Sequence, residues 1–186
     1  MEPLQQLFHA IELDGDTTHQ RIAVGQPPIS VTMLRHLPLN GVDVDTEDSR
    51  GWTLLSWACQ CRNVAAARYL LSRGAAPNQP APFDDCTPLA RVLKDENVDE
   101  PRREELVALL LAAGADVDAR VTRFDCWWTP LAMAAGPPPV KKLVGLGVFI
   151  SLLRAGARLD DCDYRGRSIE RFMEERLFRN MWCGRS

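Results

Sequence analysis

One pattern returns along this chain: a Thr with a hydrophobic run behind it, then Leu-Leu, then Gly-Ala. It is complete at Thr53/Gly74, Thr87/Gly114 and Thr129/Gly156. A weaker copy opens at Ser168, and half a copy ends at Gly41. Self-similarity at intervals of roughly 30–45 residues constrains the fold before any single residue is read. Each copy is one small unit with an apolar face that only a neighbour can cover, so the units must stack and share their stability along the stack.

The residue types say how each unit is built. A Thr hydroxyl at the head of the first helix caps free backbone N–H groups. Pro88 and Pro130 follow in the first turn, where a missing N–H costs nothing. Ala58, Ala90, Ala132 and Ala134 let helices approach closely, and the Leu pairs of the second helix bury between neighbours. Gly41, Gly74, Gly114 and Gly156 fit a helix C-terminal residue with positive φ.

The first-helix segments read Thr53-Leu54-Leu55-Ser56-Trp57-Ala58, Thr87-Pro88-Leu89-Ala90 and Thr129-Pro130-Leu131-Ala132-Met133-Ala134. The endings read Leu70-Leu71-Ser72-Arg73-Gly74-Ala75, Leu110-Leu111-Ala112-Ala113-Gly114-Ala115 and Leu152-Leu153-Arg154-Ala155-Gly156-Ala157. Tails such as Asp43-Val44-Asp45, Asp116-Val117-Asp118 and Arg158-Leu159-Asp160 follow. This pattern resembles the ankyrin repeat, with its T-P-L-H-x-A signature and Gly-Ala ending, over nearly the whole chain. The resemblance implies an all-α solenoid of stacked helix–turn–helix units with finger loops, about three full repeats plus N- and C-terminal capping repeats. The expected division is a single domain over 1–186: an N-terminal cap with an insertion at 1–45, repeats at 46–79, 80–119 and 120–161, and a C-terminal cap at 162–186.

Several segments depart from the pattern. The second and third full units are each about six residues longer than Thr53–Gly74. Their extra residues, Asp95–Pro101 and Gly136–Lys142, are charged or rich in breakers and read as loops between the two helices. They are either neutral loop drift or an added contact edge. In the N-terminal cap, Leu4, Leu7, Phe8, Ala10 and Ile11 recur at helical spacing, and Asp14–Ser30 is an insertion. The finger Pro77–Phe83 is Pro-rich and expected to be stiff and extended. In the C-terminal cap, Ile169, Phe172 and Leu177 alternate with charged residues as an amphipathic helix does.

Composition narrows the function. A net charge of -3 gives no nucleic-acid footprint. The longest apolar stretch, Leu143–Leu153, is too short to span a bilayer. The acidic start at Met1-Glu2-Pro3 lacks the basic region of a secretory signal, which points to a cytoplasmic protein. Arg greatly outnumbers Lys, a usage that fits a GC-rich bacterial genome.

Sites of chemistry are hard to find. Cys59, Cys61, Cys86, Cys126, Cys162 and Cys183 contain no CxxC pair and are expected to be free thiols, Cys59 packing as a small apolar residue. His9, His19 and His36 have no metal-ligand spacing and no nucleophile motif beside them. Gly145-Leu146-Gly147 is not a phosphate loop. No catalytic residue, metal or cofactor is assigned. A Cys-dependent metal-binding protein or enzyme is the rival from another class, and a subunit of a larger assembly is a third reading.

In the ankyrin family the residue before the leading Thr lies on the finger and faces the concave surface. Here those residues are Trp52, Cys86, Trp128 and Arg167. The resemblance therefore implies binding to another protein through the fingers and the ends of the first helices. The expected contact set is Arg50, Trp52, Gln60, Phe83, Asp84, Cys86, Lys94, Trp127, Trp128, Tyr164 and Arg167. Trp and Arg lead it because they dominate interface hot spots. Trp52 and Trp128 are expected to lie outside the inter-unit core; packing against a neighbouring finger is the alternative. Trp57, inside the first helix, is expected to be core. The chain is expected to be a monomer on its own, with no nucleic-acid or membrane partner, acting as an inhibitor or immunity-type protein or as an effector on a host protein.

Overall fold

The computed structural model describes residues 43–48, 50–82, 84–94, 100–121, 128–135, 145–160, 168–171 and 174. Among them are six helices: α1 (Leu54–Gln60), α2 (Val64–Ser72), α3 (Pro88–Lys94), α4 (Glu100–Ala112), α5 (Pro130–Ala135) and α6 (Leu146–Arg154). The N-terminal cap up to residue 42, the loop residues 95–99 and 136–144, most of the C-terminal cap, and Cys126, Cys162, Cys183 and the three histidines lie outside the described residues.

The helices form two rows. α1 packs on α3 and α3 on α5, while α2 packs on α4 and α4 on α6. Each first helix also packs on its own second helix. One continuous core runs between the rows through Leu54, Leu55, Leu70, Leu89, Leu106, Leu110, Leu131 and Leu152, all fully buried. Trp57 and Cys59 belong to it, as their helical positions predict. No strand occurs among the described residues. The fingers are closed instead by isolated antiparallel pairs, Glu47 with Thr53, Ala81 with Cys86 and Val121 with Trp128.

The leading Thr residues act as caps. Thr53, Thr87 and Thr129 accept through Oγ1 from the N–H of Ser56, Ala90 and Ala132, at 3.2, 3.3 and 3.3 Å. Asn63 does the same for α2, accepting from Ala66 at 3.0 Å. The Gly-Ala endings have one shared geometry. Gly114 sits at φ 87° and donates to Leu111 O, while Ala115 donates to Leu110 O. Gly74-Ala75 and Gly156-Ala157 repeat both bonds. This is the left-handed helix ending that a Cβ disfavours, which is why Gly recurs there.

Neighbouring units are also tied by a ladder of side-chain-to-backbone bonds. Asp45 accepts from the N–H of Ala76 at 2.9 Å, Asn78 from Asp116 at 2.7 Å, and Asp118 from Arg158 at 3.1 Å. In each case the residue four after a Gly-Ala glycine position grips the backbone of the next unit.

Two expectations need correction. The loop assigned to Asp95–Pro101 is shorter, because α4 already begins at Glu100 and takes Pro101 in its first turn, where its missing N–H is harmless. The finger Pro77–Phe83 is not simply extended. The Ala81–Cys86 pair forces the chain to reverse, with the N–H groups of Asp84 and Asp85 both donating to Ala81 O.

Candidate functional site

The fingers and first helices meet around Trp52. Its place is set by Asp48, whose Oδ1 accepts from the backbone N–H of both Arg50 and Trp52, at 2.9 and 2.8 Å. Asp48 Oδ2 accepts from the indole N–H of Trp57 at 2.8 Å, so one carboxylate fixes the turn and joins it to α1. Gly51 completes the turn at φ 75°. A Cβ there would lie 2.4 Å from Pro82 Cδ, so Gly51 also lets the next finger close in. The equivalent position one unit later is Asp85, at φ 53°.

Trp52 is half-buried. Its ring centre lies 4.7 Å from that of Trp57, with the planes tilted by 53°. The guanidinium of Arg91, on α3 of the next unit, sits 3.8 Å from the centre of the Trp52 ring. Arg91 is only 2% exposed and forms an ion pair at 2.7 Å with Asp84, which is 5% exposed. Lys94 approaches the second Asp84 oxygen at 3.4 Å from the surface. Burial alone would raise the Asp84 carboxyl. The charge and hydrogen bond of Arg91, helped by Lys94, outweigh it and hold the group below its ordinary value. A charge buried this deeply is tolerated because it is paired.

The expected contact residues therefore separate into groups. Arg50 and Lys94 are exposed, and Gln60, Trp52 and Trp128 are half-buried. Asp84 and Cys86 are not surface groups as expected: Asp84 is consumed by Arg91, and Cys86 is 1% exposed because its backbone pairs with Ala81 and its side chain enters the core. Phe83, Trp127, Tyr164 and Arg167 lie outside the described residues. Trp52 and Trp128 both pack partly against the core, so the expectation that they stand clear of it is corrected. Sequence reading missed Asp48 and Arg91. Arg91 carried a signal, as the one charged residue inside the apolar run Pro88-Leu89-Ala90-Arg91-Val92-Leu93.

The chemistry available here is that of a surface. Desolvation pushes the thiols of Cys59 and Cys61 up to about 12 and that of Cys86 up to about 11, so they stay protonated near neutral pH. Among the described residues no cluster of three metal-ligating side chains occurs. Among them, too, no helix is long and apolar enough to cross a membrane.

Comparison with known proteins agrees with the geometry. A profile of three ankyrin repeats matches residues 22–121. The human SMC5-SMC6 complex localization factor protein 1 is 30% identical over 110 residues, 59% of this chain and 10% of that protein. Its bovine counterpart is 29% identical over the same shares. The mouse protein is 32% identical over 66 residues, 36% of this chain and 6% of its own. This chain thus spans about a tenth of the longest-matched relatives, which are mammalian and lend no support to a bacterial source. With the match covering residues 22–121, the helix pairs, the fingers and the Gly-Ala endings all in place, the chain belongs to the ankyrin-repeat family.

Proposed function

We propose that this chain binds a partner protein through the face made by its fingers and the ends of its first helices. One observation carries the reading. The position before the leading Thr holds Trp in two units, and both Trp52 and Trp128 keep part of their surface open while anchored in the framework. A large aromatic fixed by packing loses little entropy on binding and makes a strong anchor. The family as a whole is one of protein-interaction modules, which supports the same class of function.

The finer role is open to two descriptions. An inhibitor or immunity-type role rests on the sequence reading alone. The relatives are named as localization factors for a protein complex, which favours a docking role in bringing one protein to another. The test is capture of a partner by the chain and by Trp128→Ala and Trp52→Phe variants. Trp52→Phe keeps a ring over Arg91. Loss of capture by roughly thirtyfold with folding intact supports the reading. Full capture by both variants moves the recognition surface elsewhere.

A further inference from the structure

The row of second helices runs, among the described residues, from α2 through α4 to α6. The open edge of α6 differs in kind from the joints before it. Counted back from the glycine that closes each helix, Ile150 of α6 stands where Arg68 stands in α2, and Leu146 stands where Glu104 stands in α4. Arg68 and Glu104 both reach the following unit. Arg68 pairs with Glu105 at 2.8 Å, and the Glu104 carboxylate lies over Gly147. The matching positions of α6 are apolar and open: Leu146 is 64% exposed and Ile150 38%. Leu153, half-buried, extends them at helical spacing into a stripe of three. A stack that ended at α6 would need a polar face there, and this one is apolar.

We propose that this stripe is the docking site of the chain's own segment Leu177–Trp182, laid along α6 as the next helix of the row. A further unit opens in register beside it. Ser168 Oγ accepts from the N–H of Arg171 at 3.2 Å, as Thr53 does from Ser56, and Ile169 is 5% exposed in the core. The residues after 174 lie outside the described ones, and their sequence supplies the complement. Leu177, Phe178, Met181 and Trp182 recur at the spacing of one helical face. Met181 and Trp182 fall 13 and 14 residues after Ser168, just as Ala66 and Ala67, both fully buried, fall after Thr53. A second copy of the chain fits less well. One stripe on a nine-residue helix falls well short of the roughly 800 Å² per partner that a stable complex buries. A tethered segment starts from an effective concentration of about millimolar and needs less area. The proposal stands apart from binding at the fingers: it gives this end of the stack to the chain itself.

The experiment uses the full chain and two readouts. The first is the fluorescence of Trp182, taken as the difference between the chain and its Trp182→Phe variant. It should be blue-shifted in the native chain, and Leu146→Asp should move it to the red and lower the melting temperature by about 4–8 °C. Leu159→Asp, at an apolar residue 41% exposed beyond the end of α6, should do neither. The second readout is a short bifunctional maleimide applied to Ile150→Cys, with an equal mixture of ¹⁴N and ¹⁵N chains. Mass mapping should find residue 150 joined to Cys183 within one chain. Three results overturn the proposal. Trp182 emission as red as in the denatured chain, unmoved by Leu146→Asp, would show that nothing of this chain covers the stripe. Mixed-isotope links between residue 150 and Cys183 would assign the stripe to a second copy. Loss of partner capture in Leu146→Asp, with Trp182 emission unchanged, would assign it to the partner. Capture lost in Trp128→Ala leaves the finger reading standing in each case.

Discussion

At the scale of single residues, the buried pair of Asp84 and Arg91 makes part of the fold's stability depend on pH. The folded-state carboxyl of Asp84 is held below its ordinary value near 3.8. Its contribution to stability is therefore complete above that value and is lost as pH falls through the lowered one. Asp84→Asn should cost about 3–5 kcal/mol near neutral pH, because it leaves Arg91 buried and uncompensated. Urea melts of both proteins should converge as the pH drops below about 3.8; a gap that persists in acid would mean the charge is not what matters. The thiols give a second measurement. Cys59 and Cys86 should resist a thiol reagent at neutral pH in the folded protein and react once it is denatured. Rapid labelling of the native protein at either position would contradict their burial. Burial of Cys59 follows from its helical spacing. Burial of Asp84 does not, since a charged finger residue normally faces water and only its neighbour one turn along α3 reverses that.

At the scale of the element, the sequence is most readable, because the devices that start and stop each helix are written locally. Thr53, Thr87 and Thr129 lead the first helices, and all three cap them. Thr129→Ala should cost about 0.5–2 kcal/mol, the usual worth of a cap, and a melt unchanged within error would show that the α5 cap is redundant. Gly114 ends α4 at φ 87°, with nothing within 4 Å of where a Cβ would stand. Gly114→Ala should therefore cost only the backbone term, about 1–2 kcal/mol, with no clash to add. A larger loss would reveal crowding at that turn. The start of α4 was less legible. Glu100 and Pro101 look like loop residues, yet Arg103 is buried at 1% exposure and draws Glu100 into the first turn at 3.1 Å. That carboxylate also accepts from the N–H of Gly145 in the next unit, a pairing between residues 45 apart that no local pattern announces.

At the scale of the whole molecule, stability is shared between units. Leu110 is fully buried on α4, the helix that packs on α2, α3 and α6. Leu110→Ala should cost roughly 2–5 kcal/mol. Because units support one another in line, hydrogen exchange should quicken in α2 and α6 as well as in α4. Faster exchange confined to α4 would mean that the units are energetically independent. The ladder of Asp45, Asn78 and Asp118 bears on the same question from another side. Each rung needs one short polar side chain on the earlier unit and only a backbone N–H on the later one. The joint therefore makes no demand on the later unit's side chains at that point. At this joint alone, a unit ending in this way accepts whatever side chains the next unit carries there. A gene encoding such a chain can duplicate or drop a whole unit in frame and keep this joint intact, so the length of the array, and the span of partner it can grasp, is free to drift while the joinery stays fixed.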